Sequence, residues 1–173
     1  MLRIVITGAE CTGKTTLTKA LSGYYGEPWT VEFVREYAAQ QDRELTQEDL
    51  DPIARGQLAS EDHALDRAKR LILHDTNLLS SILYANHYYG AQLDWVNEAF
   101  LRRDYTLYLL CTPEGIDWQA DPGQRESPAA RDELHGKFLQ SMQELNLPHV
   151  PLTGPPTARF GEAVQAIDGL LKK

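Results

Sequence analysis

An apolar run at the very start of the chain, Leu2–Thr7 (LRIVIT), passes directly into Gly8-Ala9-Glu10-Cys11-Thr12-Gly13-Lys14-Thr15, and a helical pattern with Leu17, Ala20 and Leu21 follows without a break. This is the string GxxxxGK[ST] between a strand and a helix. Glycine lets such a turn bring successive backbone N–H groups around one anion, and the helix behind it aims its positive end at the same point. Lys14 adds a point charge suited to β- and γ-phosphates, and the Thr15 hydroxyl suits Mg²⁺. Nucleoside triphosphate binding follows. The motif alone does not separate kinases, ATPases and GTP switches.

The rest of the chain alternates short strand-like runs with longer helical patterns, the signature of a parallel α/β sheet. After the first run come residues 30–34 (TVEFV), Leu71–Asp75 (LILHD), residues 105–112 (YTLYLLCT) and residues 149–153 (HVPLT). Several lack polar alternation, as strands buried on both faces should. Ile53, Leu58, Leu65 and Ala68 mark a second crossover helix. Asp51-Pro52 and Ser127-Pro128 each read as a cap followed by a first-turn proline, and Gly90 reads as a helix stop. Residues 113–128 (PEGIDWQADPGQRESP) combine Gly, Pro and charge and read as a mobile loop after the fourth strand.

At 173 residues the chain is one ordinary domain, and 42% hydrophobic with 24% charged residues excludes collagen-like, mucin-like and wholly disordered classes. Seventeen Lys and Arg against 25 Asp and Glu leave a formal charge of -8, which argues against broad nucleic-acid binding. No apolar run reaches membrane-spanning length, and no signal-peptide pattern opens the chain, so the expectation is a cytoplasmic protein with no membrane partner. Cys11 and Cys111 form no CxxC and are expected to be small buried hydrophobes in a reducing compartment.

In an open parallel sheet, ligands sit beyond the carboxyl ends of the strands. The second run leads to Arg35-Glu36-Tyr37, and the third closes on His74-Asp75-Thr76-Asn77. Asp75 is placed to hold Mg²⁺, with helix capping near Asn77 as the alternative. Glu36 is a candidate to grip or deprotonate an acceptor hydroxyl, with a solvated glutamate as the alternative. Arg125 and Arg131, in and after the loop behind the fourth strand, would bring guanidinium donors to the phosphates when that loop closes and excludes water. That is a kinase lid pattern. GTP-switch and motor-ATPase readings fare poorly, since there is no NKxD string, Asp75-Thr76-Asn77-Leu78 is not DxxG, and no Asp-Glu pair closes the third run.

These residues together resemble the ribosylnicotinamide kinases of bacterial NAD salvage, the kinase part of NadR-type proteins. The blocks are GAECTGKTTL at 8–17, EYA at 36–38, DTNLLSSILYANHYYG at 75–90, YTLYLLCTPEGIDWQADPGQR at 105–125 and TGPPTARFGEAV at 153–164, in that family's order. The resemblance implies transfer of a phosphoryl group from ATP to the 5′-hydroxyl of nicotinamide riboside, giving nicotinamide mononucleotide. It implies ATP binding by Gly8, Ala9, Glu10, Cys11, Thr12, Gly13, Lys14, Thr15 and Thr16, with Pro155 in a segment passing near the adenine. Glu36 and Asp75 would serve the acceptor and magnesium, and Trp118, Asp121 and Arg125 would belong to the lid and substrate site. Cys11 stands where the family usually has serine, Asn77 in the substrate block where an aspartate is usual, and Pro122 interrupts the lid block. No adenylyltransferase domain is expected ahead of the first strand.

The expected architecture is a single domain over residues 1–173, a three-layer α/β P-loop kinase fold. Its five-stranded parallel sheet has order 2-3-1-4-5 and helices on both faces, with a lid at about 113–131. The expected catalytic groups are Lys14, Glu36, Asp75 and Arg125, with Mg²⁺ on Thr15 and Asp75. Tyr37, Tyr88, Trp118 and further tyrosines near the pocket would offer ring faces to a cationic pyridinium, each worth roughly 0.5 to 2 kcal/mol. Phosphorylation of another nucleoside or small metabolite remains an alternative reading, as does a non-catalytic nucleotide sensor. ATP against GTP and homo-oligomerisation are left open.

Overall fold

In a computed structural model, which describes residues 1–120 and 127–172, five parallel strands form one sheet. They are β1 (Leu2–Thr7), β2 (Trp29–Thr30), β3 (Leu71–Asp75), β4 (Leu107–Cys111) and β5 (His149–Leu152), in the spatial order β2-β3-β1-β4-β5. Both the parallel arrangement and the strand order match the expectation. Register is set by pairs such as Ile4 with Leu73 and Leu107, which keep β1 central between β3 and β4.

Each residue of β3 and β4 is buried, because helices cover both faces. On one face Ile4, Ile6, Leu73 and Leu109 pack against Leu17 and Leu21 of α1 (Lys14–Tyr25) and Ala163 and Ile167 of α7 (Pro156–Leu171). On the other, Val5, Tyr108 and Leu110 meet α3 (Leu50–Leu65), α4 (Leu78–Tyr89), α5 (Asp94–Leu101) and α6 (Pro128–Glu144) through Ala54, Leu83, Phe100 and Phe138. The alternation of strand side chains between faces thus divides the core into two layers. Among the described residues no helix is long and apolar enough to cross a membrane.

Helix boundaries follow local chemistry. The Ser127 hydroxyl accepts from Ala130 N–H at 3.1 Å ahead of Pro128, and Gly90 closes α4 in the left-handed region at φ 59°. Asp51, however, caps nothing. A 3₁₀ turn at Gln47–Asp49 runs directly into α3, and its capping box is Thr46 with Asp49. Asp51 instead pairs with Arg55 one turn on, at 2.7 Å.

The second strand is the larger departure. The run expected over residues 30–34 is a strand only at Trp29–Thr30, and Phe33 already belongs to α2 (Phe33–Ala39). Two contacts from α3 explain this. The Gln57 side-chain oxygen accepts from Phe33 N–H at 3.1 Å, satisfying a first-turn donor that α2 itself cannot. Gly56 makes room for the Phe33 ring, which any β-carbon there would overlap. Tertiary packing overrides the strand preference of Val, Phe and Val.

Candidate active site

The turn between β1 and α1 is built tightly against the sheet. A β-carbon on Gly8, whose φ is 136°, would lie 2.5 Å from the Cys111 carbonyl oxygen at the end of β4, so only glycine fits. Cys11 holds a left-handed φ of 52°, a strained conformation of the kind that clusters at ligand sites. The Lys14 ammonium donates to the Ala9 carbonyl at 2.8 Å within its own loop. The Thr12 hydroxyl does likewise at 2.8 Å.

At the next strand tip, the Thr15 hydroxyl donates to Asp75 Oδ2 at 2.5 Å. Asp75 is 1% exposed, and its Oδ1 has no hydrogen-bond partner. Burial pushes this carboxyl up, with the negative charge of Glu32 adding to it, against the Thr15 hydrogen bond and the charges of Lys14 and Arg35. Thr76 then adopts φ 67°, rare for a β-branched residue, and its buried hydroxyl is also unpartnered. Orphaned oxygens beside a strained residue mark groups held ready for something other than the fold. The Thr15–Asp75 pair has the hard-oxygen chemistry a magnesium ion takes. Among the described residues no cluster of three His, Cys, Asp or Glu offers a self-contained metal site.

Lys14 and Thr76, beside the Thr15–Asp75 pair, line a cavity of about 920 Å³ that also takes in Glu10, Glu32, Arg35, Tyr84 and Tyr88. Glu32 stands at the N-cap position of α2, where its side chain, rather than capping, pairs with Arg35 at 2.5 Å. Glu10 turns its side chain from the loop into this cavity, where Oε2 accepts from the Tyr84 hydroxyl at 2.9 Å. Burial first, then the negative charges of Glu10 and Glu32, push the Tyr84 phenol well up, so it stays a neutral donor. Tyr84 and Tyr88 stack with centroids 5.8 Å apart.

Several sequence candidates lie elsewhere. Glu36 is on the exposed face of α2 and outside the cavity lining; the carboxylate that α2 presents to the cavity is Glu32, one turn earlier. Placing the strand end at Val34 caused that slip. Tyr37 also misses the cavity and donates to Asp49 at 2.8 Å. Asn77 is fully buried and serves the fold: its side-chain oxygen caps α4 through Leu79 N–H, and its amide donates to the Tyr108 hydroxyl. Asp75 is not that cap. Trp118 is not on the cavity lining and lies under the Arg131 guanidinium at 5.5 Å. Arg131 donates to Cys11 and Ile116 carbonyls at 3.5 and 3.1 Å, tying the turn to the segment after β4. Cys111 is buried as expected, but Cys11 is half-exposed, and its sulfur touches Gln119 N–H and the Asp117 carbonyl. Thr16 and Pro155 are exposed at the starts of α1 and α7. Asp121, Pro122 and Arg125, with part of the expected lid, lie outside the described residues.

Sequence reasoning placed Arg159 only at the end of the segment 153–159, expected to pass near the adenine, and gave its side chain no role. It is 2% exposed and donates to the carbonyls of Gly154 at 2.7 Å, Thr12 at 3.1 Å, Thr112 at 2.8 Å and Glu114 at 2.5 Å. One guanidinium therefore joins the phosphate-type turn to the tips of β4 and β5.

Comparison with known proteins agrees with the fold. No curated protein sequence matches the chain. Among solved structures, "NadR protein in complex with NR" superposes with a TM-score of 0.83 at 19% identity, covering 99% of this chain and 50% of that one. NadR in complex with NAD and AMP-PNP gives 0.79, also at 19%. The chain thus spans about half the length of these NadR structures. Deoxyadenosine kinase from M. mycoides matches with a TM-score of 0.70 at 11% identity, covering 97% of this chain and all of that one. Thymidylate kinase from Ehrlichia chaffeensis gives 0.66 at 12% identity, with coverages of 96% and 98%. The expected likeness to NadR-type proteins holds at the level of the fold, which is a P-loop kinase fold shared with nucleoside and nucleotide kinases. A family model described as an AAA domain matches residues 3–159, and the chain belongs to that family.

Proposed function

We propose that the protein is an ATP-dependent kinase that phosphorylates the 5′-hydroxyl of nicotinamide riboside. The observation that carries the reading is the juxtaposition of an anion-binding turn, bearing Lys14 and the Thr15–Asp75 pair, with a cavity lined by carboxylates and aromatic rings. The cavity volume, about 920 Å³, is ample for a nucleoside beside a triphosphate tail. Support also comes from the fold neighbours, which are kinases or NadR, one of them in complex with NR.

In this reading the backbone N–H groups of residues 8–13 and the N-terminus of α1 bind the β-phosphate. Lys14 exchanges the Ala9 carbonyl for phosphate oxygens, and the transferring charge meets its ammonium in a site that excludes water. Thr15 and Asp75 would hold a magnesium ion, which would supply positive charge beside the phosphates. Glu32 takes the proton of the attacking hydroxyl and Arg35 keeps its carboxylate aimed, so attack is in line with the leaving oxygen. Arg159 holds the turn to β4 and the segment around Gly154, which passes by the adenine. Residues 113–131 act as the lid, and residues 1–173 as one kinase domain, with Arg131 linking lid and turn. Arg125, Asp121 and Trp118 serve lid closure, and Tyr88 the acceptor ring.

A panel of nucleosides and small alcohols, each with ATP and magnesium and scored by product mass, tests the proposal. The expected product is nicotinamide mononucleotide. Turnover of another nucleoside with none of nicotinamide riboside would replace the acceptor. Nucleotide binding without any phosphorylated product would remove the kinase reading.

A further inference from the structure

We propose that Glu10 sets the charge of the acceptor, admitting a cationic ring over a neutral or anionic one; this rests on the kinase reading above. Glu10 stands inside the phosphate-binding turn, yet its side chain is directed into the acceptor cavity. It is 5% exposed, and Oε1 has no hydrogen-bond partner. The neighbouring carboxylates are engaged differently: half-buried Glu32 on the lining pairs with Arg35, and buried Asp75, off the lining, accepts from Thr15. Glu10 has no ion-pair partner among the described residues. Among the described residues its hydrogen-bond donor is the Tyr84 hydroxyl.

A buried carboxylate with no cation beside it is costly unless the bound state supplies one. Here the charge sits directly behind an aromatic wall. A phenol donating to a carboxylate gains electron density in its ring, and a richer ring face attracts a cation more strongly. Tyr84 is therefore a tuned face, and Glu10 is what tunes it.

The same arrangement rejects anions. The cavity's two remaining basic side chains are committed, Arg35 to Glu32, and Arg43 in a two-point contact with Asp49 at 2.7 and 2.8 Å. Lys14 belongs to the triphosphate. An acceptor already carrying a 5′-phosphate would meet Glu10 and Glu32 on the lining without an uncommitted side-chain cation to receive it, a repulsive arrangement that discriminates by charge. A nucleoside kinase, rather than a nucleotide kinase, is the consequence.

Two acceptors of nearly the same shape separate charge from fit: nicotinamide riboside, whose ring is a cation, and its dihydro form, whose ring is neutral. The readout is the ratio of kcat/KM for the two. Wild type favours the cation. Glu10→Gln keeps an oxygen for Tyr84 and removes the charge, so the ratio falls about tenfold, chiefly through KM for the cation. Tyr84→Phe lowers the ratio by a smaller factor, and Glu10→Asp restores part of it. A stabilising shift with magnesium ATP in a thermal melt confirms that each variant is folded. A Glu10→Gln ratio within twofold of wild type overturns the role of Glu10 while leaving the kinase reading intact. A wild-type protein inactive on both acceptors overturns nicotinamide riboside as the acceptor, and this inference with it, whatever other nucleoside is turned over.

Discussion

Two buried aspartates, Asp49 and Asp75, are 3% and 1% exposed, yet their surroundings are opposite. Asp49 takes two guanidinium bonds from Arg43, the Tyr37 hydroxyl and the backbone N–H of Thr46. These donors, the Arg43 hydrogen bonds foremost, hold its carboxyl well below the ordinary 3.8. Asp75 takes one hydroxyl, leaves an oxygen bare, and is pushed above that same 3.8 by burial. A carboxylate that serves the fold is saturated with donors; one kept for a ligand is left short of them. The segment around Asp49 is a strap over the cavity rim, and the β3 tip is its working edge.

Breaking the working edge should cost activity most. Lys14→Ala and Asp75→Asn are each expected to lower kcat by at least about 100-fold, taking a preorganised charge as worth roughly 3 kcal/mol. Steady-state assays with the preferred acceptor check both. Glu32→Gln is expected to lower kcat by about 100-fold as loss of a general base, against less than twofold for Glu36→Gln. Equal losses in the two would return the acceptor carboxylate to residue 36.

Stability should move in opposite directions at the two aspartates. Asp75, with its pKa raised in the fold, contributes stability below about pH 3.8 that is lost as pH rises through its folded value, so Asp75→Asn should melt higher than wild type at pH 7. That gap should close as pH falls toward 4. Asp49, with its pKa lowered, contributes stability above about pH 3.8 that is lost as pH falls through its folded value. Asp49→Asn should therefore melt lower at pH 7, with the gap closing only below pH 4. Thermal melts across pH 3 to 8 read both signs. The same sign for both variants would dissolve the contrast between the two carboxylates.

This contrast was only partly legible in the sequence. The turn at Gly8 and Lys14, the parallel sheet and its order, and Asp75 at the end of β3 were readable because each rests on local spacing or on apolar runs that burial on both faces demands. The region between β2 and α3 was not. Phe33 looks like a strand residue until Gly56 and Gln57, more than twenty positions later, receive its ring and its N–H. With that boundary displaced, Glu36 rather than Glu32 became the expected acceptor carboxylate. Tyr37 and Asn77 carried the right chemistry for a substrate, but their partners, Asp49 and Tyr108, are set by tertiary contact alone. The role of the Arg159 side chain escaped notice for the same reason, since four carbonyls from distant segments converge on it.

The most direct test is ADP release by wild-type protein with magnesium ATP, measured with and without nicotinamide riboside. The account requires release to rise at least about tenfold with the acceptor, matched mole for mole by nicotinamide mononucleotide. Equal release in both arms, with no phosphorylated riboside, would contradict it.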